Sequence, residues 1–201
     1  MADTSIRRGG SAAPGTGRAR HDTGSQNDTG PAECPVSLRD AVALATRAHA
    51  GQLDKVGDDY IGHPLRVMEA VGDAARRAGV DPDQARMVAV LHDVVEDTDV
   101  TLATLTSLGY PSDVVAAVDA LSHRDGESVE HYLARVADNA LSVVVKRADM
   151  ADNSNPVRLA RLPRDQADRY ARRYSSRIRL LDDLVAQHGA AVRTVDRMRT
   201  V

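Results

Sequence analysis

The sequence predicts an all-α bundle, and three observations carry that prediction. Apolar residues recur at helical spacing in one segment after another. Several of these segments open on a capping residue or an early proline, and three close on a glycine: Gly79, Gly109 and Gly189. The core must also be built from Ala, Val, Leu and Met, because aromatics supply 2% of the 201 residues: five Tyr, with neither Phe nor Trp. Side chains of that size favour helices packed closely over a β-sandwich. The length suits one domain with a tail.

Residues 1–35 read as that tail, disordered and without a core of its own. They hold six of the fourteen glycines and three of the eight prolines, and Ile6 is their only branched aliphatic. Such a stretch buries too little apolar surface to offset its ordering entropy. Arg7, Arg8, Arg18 and Arg20 would suit an organelle-targeting peptide, but Asp3, Asp22, Asp28 and Glu33 argue against one.

The domain spans residues 36–189. Ser37 is a good N-cap, with Asp40 at the third position, for a helix carrying Leu38, Ala41, Val42, Ala45 and Ala48. A polar loop runs from Gly51 to Gly62. Pro64 suits a first helical turn, and Leu65 to Ala78 runs to a stop at Gly79. Asp81-Pro82 repeats the start signal, and Ala85, Val88, Ala89, Val90, Leu91, Val94 and Val95 make the next helix apolar almost all round. That helix should be central and buried. Shorter helices follow at Thr101–Leu108, Ser112–Leu121 and Ser128–Ala137. Val143, Val144 and Val145 favour a strand by propensity, yet a helix over Leu141–Asn153 places Lys146, Asp149 and Asn153 on one face. Pro156 and Pro163 bracket a connection. A long last helix covers Gln166–Gln187, ends before Gly189 and leaves a C-terminal tail over 190–201.

Composition excludes several functions. A net charge of −3 and few aromatics leave neither the electrostatic footprint nor the stacking platform of a nucleic-acid binder. No apolar run reaches the roughly 20 residues of a membrane span, and the start lacks a secretory signal. Cys34, the single cysteine, has no partner for a disulfide or a zinc site. A soluble, cytoplasmic protein is expected, and a homo-oligomer is allowed. Of the 26 basic residues only Lys55 and Lys146 are lysines, so these two positions call for an explanation.

The chemistry concentrates in Ala89-Val-Leu-His92-Asp93-Val-Val-Glu96-Asp97-Thr98. On a continuous helix His92 and Glu96 lie one turn apart, as do Asp93 and Asp97. Burying three carboxylates side by side is costly unless a cation neutralises them. Two readings stand: a divalent metal site, or a solvated acidic face, which fits less well beside Val90, Leu91, Val94 and Val95. Two further helices offer partners. His63, in Tyr60-Ile-Gly-His-Pro64, could point its ring at the same centre, although a lone histidine is more often structural. Asp149, in Lys146-Arg-Ala-Asp-Met-Ala-Asp-Asn153, suits the mouth of a pocket. Two His and two Asp suit manganese, iron or another divalent transition metal better than a structural zinc.

His49-Ala-Gly-Gln52, Lys55 through Pro64, AVLHDVVEDT at 89–98 and VKRADMADN at 145–153 follow one another in a familiar order. Across residues 38–186 the chain resembles the HD-domain phosphohydrolases, specifically the hydrolase domain of the RelA/SpoT family and the small alarmone hydrolases. The resemblance implies an HD-type helical bundle binding one metal, usually manganese, through His63, His92, Asp93 and Asp149. It implies Glu96 and Asp97 as the catalytic acidic pair. Lys55 and Lys146 would then meet the substrate's phosphates or brace the site, and Asn153 and either Tyr170 or Tyr174 would meet a nucleotide substrate. The implied reaction removes pyrophosphate from the 3′ position of guanosine tetra- or pentaphosphate (ppGpp or pppGpp), the nucleotides of the stringent response.

Four residues depart from the family's usual pattern. Asp54 stands where an Arg commonly stacks on the guanine base, Asp58-Asp59 makes the loop more acidic, and Asn155 replaces a frequent Arg. An acidic residue at 54 makes no cation–π contact and is expected to repel phosphates. The same metal chemistry on another nucleotide or dinucleotide phosphate therefore remains an alternative, as does a non-catalytic nucleotide-sensing module. Neither a synthetase nor a regulatory domain is expected after the hydrolase-like region.

Overall fold

The computed structural model describes the backbone of residues 36–199 and the side chains of residues 36–188. The expected tail at 1–35 lies outside the described residues. Ten helices are present among them: α1 Leu38–Ala48, α2 Gly62–Ala78, α3 Pro82–Leu91, α4 Val94–Asp97, α5 Leu102–Ser107, α6 Ser112–Leu121, α7 Val129–Ala137, α8 Ala140–Asn153, α9 Pro156–Leu159 and α10 Arg164–Arg199. The only extended pairing among the described residues is an isolated bridge between Leu53 and Asp59. The all-α prediction holds.

Local chemistry sets most boundaries. Ser37 and Asp40 form a reciprocal capping box at the start of α1. Asp81 caps α3 by accepting from the backbone N–H groups of Asp83 and Gln84, with Pro82 behind it. Thr101, Ser128 and Asn139 cap α5, α7 and α8 in the same way. Gly79 ends α2 at φ 71°, a left-handed conformation that a side chain would disfavour.

α3 is the central element. Val88, Ala89, Val90 and Leu91 are fully buried, between α2 with Val67, Val71 and Ala75 and α6 with Val114, Ala117 and Val118. α8 closes the core with Leu141, Val143, Val144, Val145 and Met150, and Leu181 of α10 joins it. At about 25 cal/mol per Å² of apolar surface, the burial of these aliphatic side chains is the main drive for assembly.

Three expectations are corrected. The helix through His92–Asp97 is not continuous: α3 stops at Leu91 and α4 starts at Val94. The His92 ring takes the Ala89 carbonyl at 2.6 Å, the acceptor that the backbone of Asp93 would have used to prolong the helix. The 156–163 connection contains a short helix, α9, capped by the side chain of Asn155. The last helix does not end before Gly189 but runs on to Arg199, so no separate tail begins at 190. One glycine inside a long helix costs only about 1 kcal/mol and need not terminate it. Among the described residues no helix is long and apolar enough to cross a membrane.

Candidate metal centre and cleft

Three parts of the bundle deliver the centre. The first turn of α2 carries His63, the α3–α4 junction carries His92 and Asp93, and the last turns of α8 carry Asp149. Nε2 of His63 lies 3.1 Å from Oδ1 of Asp149, and Nε2 of His92 lies 3.8 Å from the same oxygen. Donor atoms of His63, His92 and Asp149 all fall within 4.8 Å of one another, so this group could hold a metal ion. Asp93 adjoins it, with Oδ2 at 2.9 Å from Nε2 of His92 and 3.9 Å from Nε2 of His63.

Both rings are oriented from behind. Nδ1 of His92 donates to the Ala89 carbonyl, which accepts only, so the proton of the neutral ring sits there and Nε2 carries the lone pair. Nδ1 of His63 lies 2.7 Å from Oδ2 of Asp152, which fixes its ring in the same sense. Nε2 of His92 is fully buried without a hydrogen-bond partner; Asp93 is near it but out of line. A buried nitrogen aimed at two carboxylates is an expensive arrangement for protein groups alone. As a donor set of two imidazoles and two carboxylates it fits a divalent transition metal.

The electrostatics agree. Burial alone would lower the His92 imidazole, but Asp93 and Asp149 outweigh it and push the ring up to about 10. His63 is raised against its own burial by Asp149 and Asp152. Burial would raise Asp149, yet Lys146 and the two imidazoles hold its carboxyl well below the usual range. The carboxylates around these rings therefore demand positive charge at Nε2, which protons or a cation can supply.

A cleft of about 380 Å³ opens from the centre, walled by Glu96, Asp97, His123, Tyr132, Tyr174 and Arg177 among others. Glu96 and Asp97 are exposed to it rather than buried beside His92. The two sequence readings thus divide between residues: His92 and Asp93 turn into the centre, and Glu96 and Asp97 face solvent in the cleft. Oε2 of Glu96 accepts from the backbone N–H of His123 at 2.8 Å. The carbonyl of Asp97 accepts from Gln52 at 2.9 Å, and Gln52 contacts Nδ1 of His49 at 2.8 Å. Partial burial and then the neighbouring Asp93 raise both Glu96, against its bond to His123, and Asp97.

The expected substrate contacts are arranged differently from one another. Lys146 lines the cleft and holds Oδ2 of Asp149 at 2.8 Å, with its ammonium 5.1 Å from the Tyr132 ring centre. Asn153 also lines the cleft, but its amide nitrogen donates to Oδ1 of Asp149 at 2.5 Å. Lys55 lies behind Asn153, donating to its side-chain and backbone oxygens at 2.8 and 2.9 Å. Tyr170 is set back from the cleft wall: Lys55 sits 4.7 Å above its ring, which stacks on Tyr174, and Tyr174 is the one on the wall.

The acidic loop is also corrected. Asp54 is almost buried and paired with Arg158, and Asp58 is paired with Arg161, so neither presents free negative charge to a phosphate. Sequence reading missed four residues. Tyr60 donates to Oδ2 of Asp93 at 2.5 Å, Asp152 orients His63, His123 holds Glu96, and Arg177 is a cleft cation with no carboxylate partner among the described residues. Tyr60 and Asp152 lie inside the motifs already quoted; nothing near His123 or Arg177 in the sequence marks them.

The HD-domain family model matches residues 60–173. A probable GTP pyrophosphokinase of Mycobacterium leprae is 34% identical over 140 residues, covering 66% of this chain and 17% of that protein. The guanosine-3′,5′-bis(diphosphate) 3′-pyrophosphohydrolase of Vibrio cholerae is 30% identical over 151 residues, or 67% and 21%. The bifunctional (p)ppGpp synthase/hydrolase SpoT of Escherichia coli is 31% identical over 146 residues, or 67% and 20%. The match thus spans about a fifth of the length of these relatives. A solved structure described as a metazoan ortholog of SpoT that hydrolyzes ppGpp is alike in fold, with a TM-score of 0.53 at 22% identity over 76% of this chain and 95% of that one. With more than half its residues inside the family model and the histidine and aspartate motifs gathered at one centre, this chain belongs to the HD-domain family.

Proposed function

We propose that the chain is a metal-dependent phosphohydrolase that removes pyrophosphate from the 3′ position of guanosine 3′,5′-bis(diphosphate) and its pentaphosphate analogue. The observation that carries the reading is the meeting of two tautomer-fixed imidazoles and two carboxylates at the foot of a cleft whose wall holds a second, exposed carboxylate pair. The relatives named for synthesis or hydrolysis of these nucleotides support the substrate class.

His63, His92, Asp93 and Asp149 are the residues that would hold the metal, manganese or another divalent transition ion. Such an ion lowers the pKa of water and offsets charge on phosphate oxygens. Glu96, its carboxyl raised by partial burial and fixed by His123, accepts the proton of the attacking water. Asp97, whose backbone carbonyl is held by Gln52 and whose carboxylate takes the Tyr60 hydroxyl at 3.4 Å, orients that water beside it. Lys146 and Asn153 hold the two oxygens of Asp149 in place. Lys55 braces Asn153, and Arg177 and Tyr174 present charge and ring surface to the nucleotide.

The test is release of phosphate and pyrophosphate from guanosine tetraphosphate by the purified chain, with manganese added or chelated. Manganese-dependent pyrophosphate is the expected product. Turnover of other nucleotide phosphates alone would move the substrate assignment. Nucleotide binding by metal-replete protein without any turnover would replace the hydrolase with a sensing module.

A further inference from the structure

We propose that Asp54 and Arg158 are positioning residues for the metal-binding face of His63, acting through Asp152. The proposal rests on the reading of His63 as a metal ligand. Arg158 reaches in two directions at once: one terminal nitrogen of its guanidinium bonds Oδ2 of Asp152 and the other bonds Oδ2 of Asp54. Oδ2 of Asp152 is also the atom that lies 2.7 Å from Nδ1 of His63. Loop and centre are thereby joined by an unbroken series of side chains: Asp54, Arg158, Asp152, His63.

Each link is confined. The side chains of Asp54, Arg158 and Asp152 are 6, 12 and 10% exposed, so the pairs are largely shielded from solvent screening. Asp54 is held at its other oxygen by the backbone N–H groups of Val56 and Asp58, at 2.9 and 3.0 Å. The loop closes on itself, with Asp54 N–H bonded to the Asp58 carbonyl at 2.8 Å and Tyr60 N–H to the Gln52 carbonyl at 2.9 Å. Gly57, at φ 85°, turns its tip. Asp54 is thus a fixed post rather than a mobile surface charge.

The geometry explains why a carboxylate is useful at position 54. A guanidinium with a single carboxylate partner prefers the two-pronged pairing. Without Asp54, Arg158 would turn both prongs onto Asp152 and draw Oδ2 away from the histidine. With Asp54 in place the two acids share one cation, and Oδ2 of Asp152 takes a single prong of Arg158 while staying within reach of Nδ1 of His63. Arg66 holds Asp152 from another side, at 2.8 and 3.1 Å, and makes no bond to Asp54, which provides a control. The residue expected to alter contact with the nucleotide base serves the metal instead.

The experiment is competitive Mn²⁺ binding against a fluorescent chelator, with no nucleotide present, on the full chain and on Asp54→Asn, Asp54→Arg, Arg158→Gln and Arg66→Gln. Melting temperature and helical content, measured on the metal-free proteins, confirm that each variant folds. Partners behind a metal ligand commonly contribute about 10–100-fold in affinity. One link further back, Asp54→Asn should weaken Mn²⁺ by about 3–10-fold and Asp54→Arg by more. The Asp54→Asn effect should persist in Arg66→Gln and vanish in Arg158→Gln, since only Arg158 conducts it. The Nδ1 proton of His63, followed by NMR, should shift in the same variants. Unchanged Mn²⁺ affinity in Asp54→Arg overturns the proposal, as does an Asp54→Asn effect that survives loss of Arg158. Failure of the unaltered chain to bind Mn²⁺ overturns the metal reading and the coupling together, so the two failures are told apart by the parent protein.

Discussion

The centre and the loop beside it use charge in opposite ways. At the centre His63, His92 and Asp149 are almost completely buried on helices α2, α3–α4 and α8, and the donor atoms point at one another. In the loop from Gln52 to Tyr60 two of the three acids are paired with arginines, Asp54 with Arg158 and Asp58 with Arg161, at α9 and just beyond it. In one region carboxylates and imidazole nitrogens converge where a cation can sit, and the other pairs two of its acids with arginines to hold a shape. Adjacent acids in a sequence therefore carry no fixed meaning until their partners are known.

The largest expected effect breaks the concentrated side. His92→Ala or Asp149→Ala should reduce both bound metal after dialysis and turnover to background, because each removes a donor from the centre. Retention of stoichiometric metal by either variant would show that the donor set lies elsewhere. Glu96→Gln should separate binding from chemistry, keeping the metal while turnover falls about 10²–10⁴-fold, the range for loss of a positioned acid or base. Metal analysis beside the rate assay reads this directly. The pH profile sharpens it. Glu96 must be ionised to accept a proton and its carboxyl is raised, so turnover should fall on acidification with a midpoint above the ordinary 4.5 of a glutamate. The Gln variant should lose that limb of the profile.

A smaller effect belongs to the cleft wall. Arg177→Ala should raise KM about tenfold, the size of one charge-assisted hydrogen bond to phosphate, and raise it more than it lowers kcat. Arg177→Lys should recover part of the loss. Equal KM values for all three proteins would place the phosphates away from α10.

These contrasts also mark what could be read in advance. The helices were legible because Ser37, Asp81, Ser128 and Gly79 carry their start and stop signals in their own chemistry. The gathering of His63, His92 and Asp149 was legible mainly through the family resemblance. From the residues alone, only His92 among the acids of an apolar helix pointed that way, and a lone histidine such as His63 is more often structural. The break at His92 was not legible: it depends on a ring nitrogen claiming a backbone carbonyl one turn back, a choice that helix periodicity does not encode. The partner of Asp54 was equally hidden, because Arg158 is 104 residues away and one of many arginines. Lys55 and Lys146 stood out by rarity, and of the two roles open to them, phosphate contact or bracing, the geometry shows bracing: Lys146 holds Asp149 and Lys55 holds Asn153.

The smallest effect concerns the rim that carries His123. Arg135 donates to the carbonyls of Asp119 and Ser122 at 2.9 and 2.8 Å and grips Glu127 with two bonds of 2.7 Å, so one side chain ties α7 to the end of α6 and the turn beyond it. That turn presents the backbone N–H of His123 to Glu96. Arg135 lowers the Glu127 carboxyl from 4.5 to about 2, so the pair stabilises the fold above the unfolded value and loses its contribution as pH falls from about 4.5 through about 2. Glu127→Gln should lower the melting temperature by a few degrees at pH 7, and the gap from the parent should close as pH approaches 2. A gap that stays constant with pH would assign the loss to packing instead of charge. If the same variant lowers turnover at pH 7 while metal content holds, the rim and not the centre sets the position of Glu96, and the division between a rigid metal side and a separately braced cleft wall becomes a division of mechanism.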